Sequence, residues 1–592
     1  MKRFLITTAD ERSWVFDRPV LFLGEWCRLY ERRHVWETMD AIVARPYGLE
    51  PSLKERNREY VRTLTDQLLK EVTAALNGVH CTRHDSRYWQ MVVGHWLRRY
   101  VATLFNRYHS VEQVLSEQDL AGGIVFDAPQ YELATADSIS LVWALGDSTW
   151  NHVLYSRIFK FLGVERQQSA PEILDGIRSF TVKTVSKIER AINFKQGLRS
   201  AVTGLLSAMA RKKDAFIIHS YLPRLQELRL QISLGQVPQV WRSPKPREVL
   251  FNRSVRQRLD IETAGHKGFE LFVRCQLPEM IPVCYLEGYA TLVEQVNLLP
   301  WPSEPKFIFT SNSFEFDEVF AVWAATMAEK GVPYFTGQHG NNYGTYAGLQ
   351  DLPELLTCEK FFTWGWTNGN PKNVPAFVFT IAGRKPKKNN GQGGLLLVEH
   401  VAPPRWWPED SYISFGAYQE DQFRFVEVLP EKIQMRLTVR LHPGSESFAW
   451  SDRRRWQDRK PEVRIDFGAV KIERLIRRSR LVVFAYDSTG LLESLALNRP
   501  TMCFWRGGLD HLLPEAKTYY ELLRNVGILW DTPEEAAAKV AACWDDIEEW
   551  WENGELQSAR EMFCAQYART VKNPVKTLKQ LLTAHTLARP AN

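Results

Sequence analysis

No stretch of this 592-residue chain reaches the about 18 uninterrupted apolar residues that a membrane-spanning helix needs. The sequence therefore predicts no membrane span. Cysteine is scarce: Cys27, Cys81, Cys275, Cys284, Cys358, Cys503, Cys543 and Cys564 are scattered, with no Cys-x-x-Cys pair. That pattern argues against a disulfide framework and for reduced, buried thiols in a cytoplasmic protein. No internal repeat and no low-complexity tract is present, which excludes a solenoid. Excess charge is also small. A net +6 is too diluted to argue for nucleic acid and permits only weak attraction to anionic substrates or a membrane surface. The opening "MKRFLITTADERSW" has too short an apolar run before Asp10 and Glu11 to read as a signal peptide.

What remains is ordinary globular composition, 45% hydrophobic and 24% charged, in a chain long enough for two or more domains. The 21 tryptophans suit clefts and interfaces but also simply fill cores. The first region starts with strand-like "FLITT" and "PVLFLG". "SLKE" then reads as a capping box from Ser52, followed by Tyr60, Val61, Leu64, Leu68, Leu69, Val72 and Leu76 at helical spacing, with Asn77-Gly78 as the stop. Helical and mixed patterns continue to about residue 235.

Near residue 300 strands and helices begin to alternate: "KFIFTSNSF", "FDEVFAVWAATMAEKG", "VPYFTGQHG" and "KFFTWGW". Such alternation predicts a parallel sheet with crossover helices. "GRKPKKNNGQGG" reads as an interdomain linker. A second alternating series follows it: "GLLLVEH", a helix around Asp421 to Leu429, "MRLTVRLHPGS", the helix "VKIERLIRRS", and "LVVFAYDSTGLLESLALNRPTMCFW". Two such units predict an α/β chain with two doubly wound, Rossmann-like domains facing across a cleft, plus an additional helical N-terminal region. The expected boundaries are 1–384, a linker at 385–394, and 395–592.

In doubly wound sheets ligands bind beyond the C-terminal strand ends, so the polar tips are the candidates. "GQHGNNYGTY" offers Gln338, a titratable His339 and three glycines. "VRLHPGSES" aims His442 out of the sheet, because Pro443 forces an extended bend after it. "DSTG" sets Ser488 and Thr489 at a helix start, where backbone N–H groups and the dipole favour an anion, although hydroxyls also cap helices. Glu493 lies one turn further on, where a carboxylate accepts from a ribose hydroxyl or merely faces solvent. "TSNSFEFDEVF" supplies Glu315, Asp317 and Glu318, each a base or nucleophile, or simply favourable to a helix dipole. "ITTADE", "RHDSRYW" and "GDSTWNH" are weaker polar clusters that would recognise an acceptor.

The combination of "GQHG", "RLHPGS" and "YDSTGLLESLALNRP" resembles GT-B glycosyltransferases that use CMP-activated sugars, above all the bacterial Kdo transferases of capsule and lipopolysaccharide assembly. Bacterial sialyltransferases share the last two elements. From "RFLITTADERSW" onward the whole chain is also similar to a group of predicted bacterial transferases linked to surface-carbohydrate gene clusters. The resemblance implies transfer of Kdo or a related nonulosonic acid from a CMP-sugar donor to a glycan or glycolipid acceptor. It implies no cofactor, no metal and no nucleic-acid partner. It also implies a cytoplasmic protein with room for peripheral contact with the inner membrane. The donor set it implies is Arg440, His442, Pro443, Gly444, Ser488, Thr489, Gly490 and Glu493. Gln338, Gly340 and Asn341 fall on the sugar and acceptor side. Asp317, Glu315, His339 and His442 are the catalytic candidates. The acidic-Gly motif of sialyltransferases is not evident, which leaves inversion or retention open. A teichoic-acid-type phosphotransferase using a CDP-alcohol shares the His-Gly, Arg-x-His-Pro and helix-start elements and is the alternative, with a non-catalytic GT-B scaffold behind it.

Overall fold

The structure is a computed structural model that describes residues 2–126, 131–164, 167–169, 179–181, 210–385, 393–400, 415–445 and 451–587. These residues fall into two compact units. One draws on 1–218 and 236–334, the other on 219–235, 335–403 and 411–592.

In the first unit, β1 (Arg3–Ile6), β2 (Val20–Phe22), β3 (Ala41–Val43), β4 (Leu120–Val125) and β5 (Gln167–Ser169) form a parallel sheet in the order β3-β2-β1-β4-β5. The helical N-terminal region expected from the sequence is built on two long helices, α1 (Pro51–His80) and α2 (Ser86–Glu117), followed by the shorter α3 (Ser148–Phe161). The start and stop of α1 differ from the sequence reading. Ser52 does not cap it: Pro51 takes the first helical position, where its fixed φ is already helical, and Glu50 stands before it without a capping bond. Asn77-Gly78 does not end it either. The helix runs on to His80 and closes at Cys81, whose φ of 55° gives the left-handed stop. Later in the unit β6 (Phe216–Ile218) pairs in parallel with β7 (Ile308–Thr310), and α4 (Glu318–Glu329) carries the "EVFAVWAATMAE" run.

In the second unit β8 (Tyr334–Gly337), β9 (Lys360–Thr363) and β10 (Asn373–Pro375) run parallel in that order. A six-stranded parallel sheet follows: β11 (Leu395–Val398), β12 (Leu437–Arg440), β13 (Arg464–Asp466), β14 (Leu481–Phe484), β15 (Thr501–Phe504) and β16 (Leu529–Trp530), ordered β13-β12-β11-β14-β15-β16. Helices α5 (Phe415–Val428), α6 (Ile472–Arg478), α7 (Thr489–Ala496) and α8 (Pro514–Asn525) connect successive strands. Central strands of such a sheet are covered on both faces and read as unbroken apolar runs. Accordingly Leu395, Leu396, Leu397 and all of Leu481–Phe484 are buried, each side chain contributing about 1.5–3 kcal/mol on leaving water. The α/β class inferred from alternation is the class this chain adopts. Of the expected 385–394 linker, residues 386–392 lie outside the described residues. Among the described residues no helix is long and apolar enough to cross a membrane.

Candidate functional site

The strand order decides which polar tips meet. β12 and β14 are both parallel neighbours of β11, with Arg440 and Phe484 each opposite Val398. The tips that follow, with His442 and with Ser488 and Thr489, therefore leave the same C-terminal edge of one sheet and flank the end of β11.

At the β14 tip, Ser488 is the N-cap of α7, and its Oγ accepts from the Leu491 N–H at 3.1 Å. The Thr489 hydroxyl is held from elsewhere. Its Oγ1 accepts from the Asn341 N–H at 3.1 Å, while Asn341 Nδ2 donates to the Asp487 carbonyl at 2.6 Å. The loop after β8 is thus clasped to the head of α7. Glycine allows the close approach on both sides of the clasp: a Cβ on Gly340 would stand a tight 3.2 Å from Thr489 Oγ1, and one on Gly490 would stand 2.8 Å from the Phe484 ring. The carboxylate of Asp487 is buried and accepts from the Tyr520 hydroxyl at 2.8 Å. It is engaged on the protein side and leaves the tip to the helix N–H groups and the two hydroxyls.

At the β12 tip the backbone N–H of Gly444 donates to His442 Nδ1 at 3.0 Å. With Nδ1 accepting, the neutral ring carries its proton on Nε2, so that nitrogen is a donor. Partial desolvation first, and then the Arg440 charge, lower the His442 pKa and favour that neutral form. Pro443 fixes the bend beyond it. Arg440 itself is turned inward, with its guanidinium donating to Asp466 and to the Val470 carbonyl.

Around β8 the side chains point the other way chemically. Tyr343 donates its hydroxyl proton to the buried Glu354 at 2.6 Å, and the same oxygen lies 3.3 Å from His339 Nδ1. A hydroxyl whose proton is committed can only accept, so His339 Nδ1 carries the hydrogen. Gln338 is buried and fully used as a brace: it donates to the Gly340 carbonyl and accepts from the Trp364 N–H and the Trp366 indole, both at 2.8 Å. Glu493 accepts from Thr380 Oγ1, and burial raises its pKa.

The acidic candidates belong to the other unit. Asp317 caps α4 by accepting from the Phe320 N–H at 3.0 Å and also takes the Ser243 hydroxyl. Glu315 pairs with Arg99. There too, two sequence clusters come together: Thr7 Oγ1 lies 3.3 Å from His152 Nδ1, and Arg12 links Asp10 to Thr149. "RHDSRYW" is used structurally, since Asp85 caps α2 and His84 pairs with Glu329.

Two residues at the end of β11 escaped the sequence reading. His400 stacks on Tyr486 with ring centroids 4.8 Å apart. Glu399 accepts from the Trp456 indole at 3.3 Å, and burial, then the Asp452 charge, push its carboxyl well above the usual range. The signal was present: "VEH" leaves a fully apolar strand with a histidine at its tip, as "RLH" carries one beyond β12. Among the described residues no group of three or more His, Cys, Asp or Glu is arranged to hold a metal ion.

Several solved structures are similar over part of the chain. A putative UDP-N-acetylglucosamine 2-epimerase from Listeria monocytogenes is 13% identical over 63% of this chain and 96% of its own, with a TM-score of 0.34. MurG from Acinetobacter baumannii is 9% identical over 63% and 99%, with a TM-score of 0.33. The wall teichoic acid polymerase TagF is 10% identical over 68% and 98%, with a TM-score of 0.32. No curated protein matches the sequence. The model of one family spans residues 3–582, nearly the whole chain, and the protein accordingly belongs to the LIC12162 family of transferases.

Proposed function

We propose that the protein is a GT-B-type glycosyltransferase that moves a sugar, Kdo or a related nonulosonic acid, from a CMP-activated donor to a bacterial surface glycan. One observation carries the reading: the His442 and Thr489 tips leave the same edge of one parallel sheet, on either side of β11. A donor phosphate between them would take a hydrogen bond from His442 Nε2–H. It would also take the first N–H groups of α7, which have no intrahelical acceptor. The Ser488 oxygen accepts from the Leu491 N–H, and the Thr489 hydroxyl, whose proton reaches Asn341 Oδ1 at 3.5 Å, would turn that long bond to a phosphate. Charge on the departing CMP would thus be met by donors already in place, which is the efficient form of electrostatic catalysis. Glu493 would accept from the nucleotide ribose. Asn341, Gly340 and Gln338 would shape the wall next to the sugar. His339, beside Tyr343 on the loop after β8, would be the base for an acceptor hydroxyl. Asp317 is already engaged as a cap and Glu315 in an ion pair.

Calorimetry of the full chain with CMP, CDP, UDP and GDP tests the donor site, and product analysis with CMP-Kdo against CDP-glycerol tests the reaction. Selective cytidine binding that weakens in Thr489→Val, with turnover of the CMP-sugar, is the expected result. Turnover of CDP-glycerol alone would replace the reading by phosphotransfer. Absence of any cytidine binding would end it.

A further inference from the structure

A second cationic feature lies behind the donor tip. Between α6 and α7 a cavity of about 800 Å³ is lined by Arg384, Lys385, Lys471, Arg474, Arg477 and Arg499, against two carboxylates among the described residues, Glu473 and Glu493. Along α7 it runs from Glu493 through Ser494 to Arg499, which follows the helix C-terminus. It therefore extends away from the Thr489 end by about the 12 Å length of this eight-residue helix. None of the six basic side chains forms an ion pair with a described carboxylate.

Solvated arginines at helix ends need no ligand, and cations there suit the helix dipole. That account covers the exposed Arg477, in the last turn of α6, and solvation alone covers the exposed Arg474. It does not cover Arg499, which is only 8% exposed, meets Arg477 rather than a carboxylate, and has its pKa lowered by burial and then by that neighbouring charge. Nor does it cover Ser494, 2% exposed, whose hydroxyl has no partner among the described residues. A buried hydroxyl without a partner is costly, and the Arg499 guanidinium, repelled by Arg477, opens on the same space. Both line the same cavity.

We propose that this cavity is a binding site for a ligand carrying two or more phosphoryl groups. The charge balance selects the class. Six cations and two carboxylates leave four positive charges. A phosphate monoester brings about −1.5 to −2 at neutral pH, so two phosphoryl groups neutralise the site where a single carboxylate leaves three charges bare. The arginine fork suits phosphate oxygens, and the volume fits a small organic ligand. The diphosphate is either free in solution or the headgroup of a lipid. Apart from Glu493, at its mouth, the site shares no residue with the proposed donor pocket and does not depend on that reading.

Calorimetry of the full chain with inorganic pyrophosphate tests the site. Binding is expected to weaken about tenfold or more in Arg499→Gln and in Arg477→Glu, and to persist in Thr489→Val, at the donor tip. Arg477 is exposed, so its variant carries the test if Arg499→Gln does not fold. Flotation with phosphatidylcholine vesicles, with and without a lipid bearing a diphosphate headgroup, distinguishes the sources: recruitment that Arg477→Glu abolishes means a lipid-borne ligand, and pyrophosphate binding without recruitment means a soluble one. No pyrophosphate binding, or binding that Thr489→Val removes and the two arginine variants leave intact, would overturn the proposal. Loss of CMP binding in Thr489→Val is read separately, so the two sites fail independently.

Discussion

His152 should make the first unit acid-sensitive by an amount the structure sets. The ring is buried, lies 4.0 Å from the Phe126 ring centroid, and reaches Thr7 Oγ1 through Nδ1. Its Nε2 has no partner among the described residues. Burial, offset in part by Asp10 and reinforced by Arg12, lowers its pKa from 6.5 to about 4. The unfolded chain therefore binds a proton below pH 6.5 that the folded chain refuses until about pH 4. Stability is complete above the unfolded value and falls as the pH drops through that window, by about 1.4 kcal/mol per pH unit, to a total of about 3 kcal/mol. Other groups titrate in the same range, so the measurement is a difference. Urea unfolding followed by tryptophan fluorescence at several pH values compares wild type with His152→Gln, which cannot charge. The wild-type curve should fall more steeply between pH 6.5 and 4, by the amount above, and the two curves should run parallel at higher pH. Parallel curves throughout, or a His152 ring that titrates near 6.5 by NMR, would refute the reasoning.

His442→Ala removes the imidazole donor on the β12 tip and should lower kcat by about 100- to 1000-fold, the usual cost of losing a donor to developing charge. Circular dichroism should be unchanged, and near-normal turnover would remove His442 from the mechanism. Thr489→Val keeps the shape and deletes the hydroxyl. It should weaken CMP binding by about 1.5–3 kcal/mol if the proton goes to a phosphate, and calorimetry reads the difference. Asp466→Ala leaves Arg440 buried without its carboxylate. It should destabilise the second unit by about 3–5 kcal/mol in a denaturant titration, and a much smaller cost would mean that Arg440 swings out to solvent. Gly490→Ala drives a methyl group into the Phe484 ring and should cost about 1–3 kcal/mol of stability through displacement of the α7 head.

Much of this was legible in the chain itself. The apolar runs Leu395–Val398 and Leu481–Phe484 had to become covered strands, and Pro500 and the hydroxyl at Ser488 bracketed α7 almost to the residue. The glycines at Gly340 and Gly490 stood out at polar tips, but what packs against them did not. These are local facts: each depends on side-chain volume, periodicity or φ within a few positions. The length of α1 was less legible, because Pro51 and the left-handed Cys81 outcompeted the better-looking Ser52 and Asn77-Gly78.

Long-range contacts settled the rest. That β11 lies between β12 and β14 follows from strand packing, and it puts His442 and Thr489 on one edge although 46 positions separate them. Which ring nitrogen is a donor depends on Gly444 for His442 and on Tyr343 and Glu354 for His339, so two histidines alike in sequence acquire opposite chemistry. Gln338, conspicuous beside His339, is consumed by Trp364 and Trp366, and Arg440 by Asp466. A polar residue's sequence announces only what it can bond to; burial and the neighbours brought by the fold determine which of those bonds are already spent.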